Sequence, residues 1–329
     1  MMPESSVPVL SVVVVIVSDT TTGRADTSHL RPCLRSLGQQ KEAPAMEMIV
    51  PYYKGTSGIA ILRQEFPHVR FHCVDKLSHF IPGGKGREHH DELRARGIAQ
   101  STAAIIALLE DHAIVDSGWS AALVKAHRGE YAGIGGPIEN GVDKALNWAV
   151  YFCDFARYQG PLPEGETLFA SDANVSYKRT ALEPLRGIWG EVFREPEVNG
   201  AIQRQGQKLA FAPAIVYQHR QLQLSTALSE RYVWGRSYGA TRSQMVGLPR
   251  RLVLAALSPL LPALMLLRMS FTALRKRRSI GAFLRALPLT GILAASWAWG
   301  EFCGYVTGRP CPLPAEKKRG EDRAPKLAQ

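Results

Sequence analysis

The run Val7 to Val17, VPVLSVVVVIV, constrains this chain more than any other segment. Two readings compete for it: a signal-peptide core, or a strand. No basic residue precedes it and no small-residue cleavage site follows it. Uninterrupted β-branched residues suit a strand buried on both faces, which occurs in parallel sheets covered by helices on either side. The run stops at Ser18-Asp19-Thr20-Thr21, and in open α/β sheets such polar strand ends are where ligands bind.

The following sequence alternates in a way that extends the same reading. Residues 29–40 read as a helix, 46–51 as a strand, 57–65 as a helix and 69–74 as a short strand. A loop, Ile81-Pro82-Gly83-Gly84-Lys85-Gly86-Arg87, leads into a predicted helix over 88–102. The apolar run 104–109 closes on Glu110-Asp111-His112, and a helix over 117–127 follows. This βαβα rhythm predicts an α/β sheet with helices on both faces. The Gly-rich loop matches neither a P-loop nor GxGxxG; it reads as a flexible turn or as a diphosphate contact through Lys85 or Arg87.

Charge divides the chain. Its 329 residues hold 40 Lys plus Arg against 29 Asp plus Glu, a net charge of +11. From residue 250 onward there are fourteen basic and four acidic residues, so nearly the whole excess lies in the last quarter. That quarter also carries two apolar stretches, 252–267 and 286–300, with Arg275-Lys276-Arg277-Arg278 between them. Both are shorter than the ~20 residues of a spanning helix. Two true spans would place this basic loop across the membrane from a cytoplasmic body, against the positive-inside rule. A monotopic hairpin, with loop and tail on the cytoplasmic side and gripping anionic membrane lipid, removes the conflict. The expected division is therefore a body over 1–245, a membrane-associated helical hairpin over 246–309 and a disordered basic tail over 310–329. Basic residues bordering apolar runs do not form a nucleic-acid footprint, so no nucleic-acid partner is expected. Five scattered Cys without a CxxC pair exclude a zinc or disulfide framework.

Glu110-Asp111-His112 at the end of an apolar strand offers hard oxygen donors and one nitrogen donor for a divalent cation; it reads equally as a solvated strand end. Together with other segments it resembles the family-2 inverting glycosyltransferases. These segments are Arg96-Gly97-Ile98, Gly118-Trp119, Gly135-Gly136-Pro137, the stretch Ala170 to Arg179 with Asp172 and Asn174, Glu195-Pro196-Glu197, and the strand 208–213 leading to His219. The resemblance covers roughly residues 9–245. It departs from the family pattern at Glu110, at His112, at Ala95 and at Pro51-Tyr52-Tyr53.

The resemblance implies a GT-A fold, a Rossmann-like and mostly parallel sheet. It also implies metal-dependent, inverting transfer of a sugar from a nucleotide-sugar donor to a lipid-linked or glycan acceptor at the cytoplasmic membrane face. On the same basis Ser18, Asp19, Lys85, Arg96, Glu110 and Asp111 would bind the donor, and Asp172 and Asn174 would face the sugar or acceptor. Asp111, His112 and His219 would hold Mg²⁺ or Mn²⁺, and Glu195, with Glu197 as the alternative, would be the catalytic base. The departures keep a second reading open, a non-catalytic glycosyltransferase-like binding or scaffold protein.

Overall fold

A computed structural model describes residues 7–18, 27–78, 88–163 and 165–310. The Val-rich run forms β1 (Leu10–Val15) in the interior of an eight-stranded sheet, third from one edge. β2 (Met46–Tyr53) and β3 (Val69–Val74) lie on one side of it, and β4 (Ile105–Glu110) on the other, all parallel. Shorter strands follow β4 in the chain. In chain order they are β5 (Ala113–Val115), β6 (Gly133–Gly135), β7 (Ile138–Asn140), β8 (Gly165–Thr167), β9 (Asn174–Lys178), β10 (Leu209–Phe211) and β11 (Val216–Gln218). The large sheet runs β3-β2-β1-β4-β9-β6-β10-β8, while β5, β11 and β7 form a small second sheet. Only β9 and β8 oppose the other strands of the large sheet. The class is α/β with a mixed, mostly parallel sheet. The segment 159–167, rich in Pro and Gly, contributes β8 to the sheet edge.

β1 is buried throughout because its alternating side chains enter two cores. Leu10, Val12 and Val14 pack on one face with α1 (Leu30–Gly38) and α4 (Trp119–Ala126), through Leu34, Leu37, Trp119 and Leu123. Val13 and Val15 pack on the other with α3 (Glu88–Gln100) and α6 (Glu195–Arg204), through Leu93, Ile98, Val198 and Ile202. A short helix, α2 (Ile59–Glu65), links β2 to β3. Gly97 sets the height of α3: a Cβ there would collide with the Val13 side chain and press on Pro51. Without one, the helix settles directly on β1 and β2.

The C-terminal quarter is helical and joined to the body. α5 (Ala145–Asp154), α7 (Leu224–Gln244), α8 (Leu248–Leu257), α9 (Leu261–Lys276) and α10 (Ile280–Thr307) follow one another in the chain. Phe152, Ala227, Met269, Ala273, Phe283 and Leu293 share a third core, so α5, α7, α9 and α10 pack as one unit. α7 and α10 cross at backbone contact: a Cβ on Gly235, Gly239, Gly300 or Gly304 would run into the facing main chain.

The two apolar stretches are longer than their uninterrupted runs indicated. Leu248–Lys276 is 29 residues and Ile280–Thr307 is 28. The prolines do not end them: Pro259 lies in a 3₁₀ turn joining α8 to α9, Pro262 lies in the first turn of α9, where an amide donor is not needed, and α10 continues through Pro288. The turn between α9 and α10 is docked on the body. Lys276 Nζ donates to the carbonyls of Ala156, Arg157 and Gln159, and Arg278 pairs with Glu139 at 3.0 Å. At the far end Arg251 donates to the carbonyls of Tyr305 and Val306, and Gly300 and Gly304 lie on α7. The tail from residue 311 is outside the described residues.

Candidate active site

From β1 the chain moves to β2 on one side, whereas β4 joins β1 on the other. The C-terminal ends of β1 and β4 therefore flank the topological switch point, where open α/β sheets leave a crevice. Val17 and Ser18 follow β1, and Glu110, Asp111 and His112 close β4. Because β9 runs antiparallel to β4, with Leu109 opposite Asn174, the residues entering β9 reach this same end. The first residue of α6, Glu195, completes the ring. A cavity of about 150 Å³ results, lined by Val17, Glu110, His112, Asp172, Glu195 and Arg157 among others.

One buried cation organises its floor. Arg94, on the same face of α3 as Gly97, is 1% exposed. It pairs with Asp172 at 2.9 Å, with Asp91 at 2.8 Å and with Glu110 at 3.3 Å. Burial works against its charge, but the three carboxylates outweigh it and hold the guanidinium above its usual range. Glu110 also stands 3.2 Å from His112 Nε2, and Asp111 stands 3.4 Å from His112 Nδ1. These are electrostatic contacts without hydrogen-bond geometry. Burial lowers the His112 pKa, and the two carboxylates more than reverse that.

Glu195 carries the largest useful shift. Its carboxyl is pushed up to about 8, first by burial and then by the negative charge of Asp172. Asn199 Nδ2, Arg157 and Arg94 oppose the shift without cancelling it. Asn199 donates to Glu195 and accepts from Tyr177 Oη at 2.7 Å, so the carboxylate is held in one orientation. Glu197 projects from the next part of the helix, half exposed, and pairs with Arg194 at 3.3 Å outside the cavity.

A larger cleft of about 930 Å³ lies beside the cavity and shares His112 and Arg220 with it. Ser28 and His29 at the start of α1, Lys144, Asn147, His219 and Gln223 line it. Its volume is in the range of small-molecule sites. Lys144 gives it positive charge, as does Arg220, whose guanidinium also stands 3.4 Å from Glu230.

The residues expected to hold a divalent cation do not fit one. Asp111 is fully buried and both its oxygens are engaged, accepting from the Val17 amide at 3.0 Å and from the Ser18 hydroxyl. It fastens β1 to β4. Glu110 faces Arg94 and His112. His219 is exposed in the larger cleft, its ring against Gly141, and burial and the charge of His112 lower its pKa. Among the described residues no three His, Cys, Asp or Glu side chains converge on one point that would hold a metal ion.

The remaining expected residues divide as follows. Ser18 and Asp172 are at the site. Asn174 is nearby but spends its amide on structure, donating to the carbonyls of Pro137 and Ala214 and accepting from Trp119 Nε1. Arg96 is on the exposed face of α3, and the arginine that reaches the strand ends is Arg94. Asp19 and Lys85 lie outside the described residues. Sequence reasoning missed Arg94, Arg157 and Arg220. The position of Arg94 one turn before Gly97 was the available signal, because the face that touches β1 also carries residue 94.

No family model matches the chain, and no curated protein matches it. Among solved structures it matches the mannosyltransferase from Pyrobaculum calidifontis in complex with GDP-Man and Mn²⁺. The two are 14% identical, the match covers 93% of this chain and 76% of that one, and the TM-score is 0.43.

Proposed function

We propose that this chain is a glycosyltransferase acting at a membrane surface, on the cytoplasmic side. The nucleoside diphosphate of the donor lies in the 930 Å³ cleft, and the sugar reaches past His112 and Arg220 into the cavity. The acceptor hydroxyl attacks the anomeric carbon there and its proton goes to the Glu195 carboxylate. The bond from that carbon to the diphosphate oxygen breaks with its electron pair, the nucleoside diphosphate leaves, and configuration inverts. Arg220 and Lys144 meet the charge that develops on the leaving group. No step is routed through a metal ion.

The observation that carries this reading is the base. A carboxyl raised to about 8 and aimed into a switch-point cavity is placed for proton abstraction near neutral pH. The order of motifs resembling family-2 glycosyltransferases supplies the substrate class. The test is thermal unfolding of the full chain against a panel of nucleotide sugars, GDP-mannose included, each with EDTA and with Mn²⁺. One donor present at about 100 times its Kd should stabilise by about 2.7 kcal/mol, and should do so in EDTA. Stabilisation by no member of the panel overturns the reading; stabilisation only with Mn²⁺ overturns the cation-independent donor site.

The membrane placement has its own support. Val253, Leu257, Leu260, Leu264, Leu267, Phe271 and Leu274 are all exposed and recur every three or four residues. They form one stripe along α8 and α9, roughly 32 Å long at 1.5 Å per residue. Arg250, Arg268, Arg275 and Arg277 are exposed nearby, and no acidic residue occurs between Gln244 and Glu301. With the α9–α10 turn fastened to the body, the stripe lies along a bilayer surface rather than across it. The triple variant Leu264→Glu/Leu267→Glu/Phe271→Glu should stay at the bottom of a flotation gradient with anionic vesicles, while the wild type floats. Flotation of both would remove the stripe from membrane binding.

A further inference from the structure

A cleft of about 270 Å³ opens between α5 and α9, lined by Phe152, Cys153, Ala156, Met265, Met269 and Thr272, with Asp154, Arg157 and Arg268 as its charged residues. Asp154 and Arg157 also line the cavity that holds Glu195 and Asp172. The cleft thus adjoins the cavity through Asp154 and Arg157, and neither His112 nor Arg220 lines it. One of its walls is α9, the helix that bears the exposed apolar stripe.

Its charge is unbalanced. Asp154, the one carboxylate in its lining, is taken by Arg231 through two hydrogen bonds of 2.6 and 2.5 Å. Arg157 is different. Its guanidinium lies over the rings of Tyr158 and Phe169, at 5.0 and 5.2 Å from their centroids, and makes no hydrogen bond or ion pair among the described residues. These cation–π contacts hold the group near the two rings without using its N–H donors, which stay available for the fork that arginine offers a phosphate. Arg268, exposed on α9, has no side-chain partner among the described residues either. Arg157 also lines a groove of about 530 Å³ walled by Pro161, Leu162, Leu168 and Phe169, so apolar surface reaches it from two directions.

We propose that the cleft between α5 and α9 binds the acceptor as an anionic amphiphile. An apolar chain lies along Met265 and Met269, a phosphate sits between Arg157 and Arg268, and a hydroxylated head group extends beyond it to Glu195. This rests on the glycosyltransferase reading for its last part only, since the amphiphile site is defined by the cleft and its two arginines. An uncharged glycan lacks the group that Arg157 is poised to meet, and a soluble phosphate has no use for the methionine wall.

The experiment measures binding of dodecyl phosphate to the full chain by calorimetry, below the micellar concentration and without any nucleotide sugar. Dodecyl maltoside, which shares the tail, and inorganic phosphate, which shares the head, are the comparison probes. Dodecyl phosphate should bind at least about tenfold more tightly than either, a step of about 1.4 kcal/mol. Arg157→Met should remove that advantage and leave dodecyl maltoside binding unchanged. Arg157→Lys, which keeps the charge but not the planar fork, should retain part of it and serves if the Met variant fails to fold. Equal affinity for the charged and neutral amphiphiles, or wild-type affinity in Arg157→Met, overturns the proposal. Inorganic phosphate binding as tightly as dodecyl phosphate also overturns it, in favour of a soluble phosphate ligand. Because no donor is present, failure of the transferase reading leaves this result intact, and lost binding with intact transfer would sink this proposal alone.

Discussion

Glu195→Gln should lower kcat by about 10²–10⁴-fold, the range of a lost general base, while donor binding stays at the wild-type level. The isosteric amide keeps the Asn199 contact and removes only the proton acceptor. In the wild type, kcat/KM should rise with pH to a plateau above about 8, because burial and Asp172 favour the neutral acid below that pH. The same shift has a consequence for stability. The folded-state value of about 8 lies above the ordinary 4.5, so between these pH values the folded chain holds a proton that the unfolded chain has lost. Stability contributed by this group is therefore present below about 4.5 and falls as pH rises through 8. The Gln variant does not titrate, so it should melt at a higher temperature than the wild type at pH 9 and with little difference at pH 5. A variant inactive for transfer but with unchanged pH dependence of melting would take Glu195 out of the cavity's electrostatics.

The second large effect is expected at Arg94. Removing it by Arg94→Met leaves Asp91, Glu110 and Asp172 facing one another without their shared cation. Deleting one partner of a buried ion pair typically destabilises by about 3–5 kcal/mol, and three carboxylates around one guanidinium put this site at the upper end. Urea unfolding should show the loss as a lower midpoint. Arg94→Lys should recover little, because a single ammonium does not divide itself among three carboxylates as a fork does. Adding Glu110→Gln and Asp172→Asn to Arg94→Met should restore most of the stability. If the triple variant were no more stable than Arg94→Met, cavity formation rather than unpaired charge would be the cause.

The centre of the fold was legible because its signals are local. Eleven residues of VPVLSVVVVIV admit few conformations, and the polar stop after each of β1 and β4 marked both edges of the site before any contact was known. Glu110-Asp111-His112 also stood out by composition. What composition does not carry is which partner each group meets. Asp111 has the chemistry of a metal ligand, yet its oxygens are consumed by an amide and a hydroxyl ninety residues away in the chain. Arg94 and Arg96 are equivalent in sequence, and only the contact of Gly97 with Val13 decides which one turns inward. The strands of three residues after β5 are too short for a period of two to register. The helices of the last quarter were underestimated for a different reason: Pro259, Pro262 and Pro288 look like breaks, but first turns, 3₁₀ joints and long packed helices absorb them. Asp154 ends α5 and Arg157 lies in the 3₁₀ turn that follows it, a segment whose role exists only once α9 and α10 are packed against α5.

That shared packing of α5 with α9 has a geometric corollary. α9 carries much of the apolar stripe, and α5 ends at Asp154, just before Arg157 at the cavity wall, with Phe283 of α10 joining Phe152 of α5 and Met269 of α9 in one core. The distance from the stripe to the Glu195 carboxylate is therefore a fixed property of the folded chain. A bilayer that received the stripe would hold the Glu195 carboxylate at one height above its surface. Acceptors would then be sorted by the reach of their reactive hydroxyl above the lipid, so that a head group one sugar too short or too long is refused by depth rather than by shape.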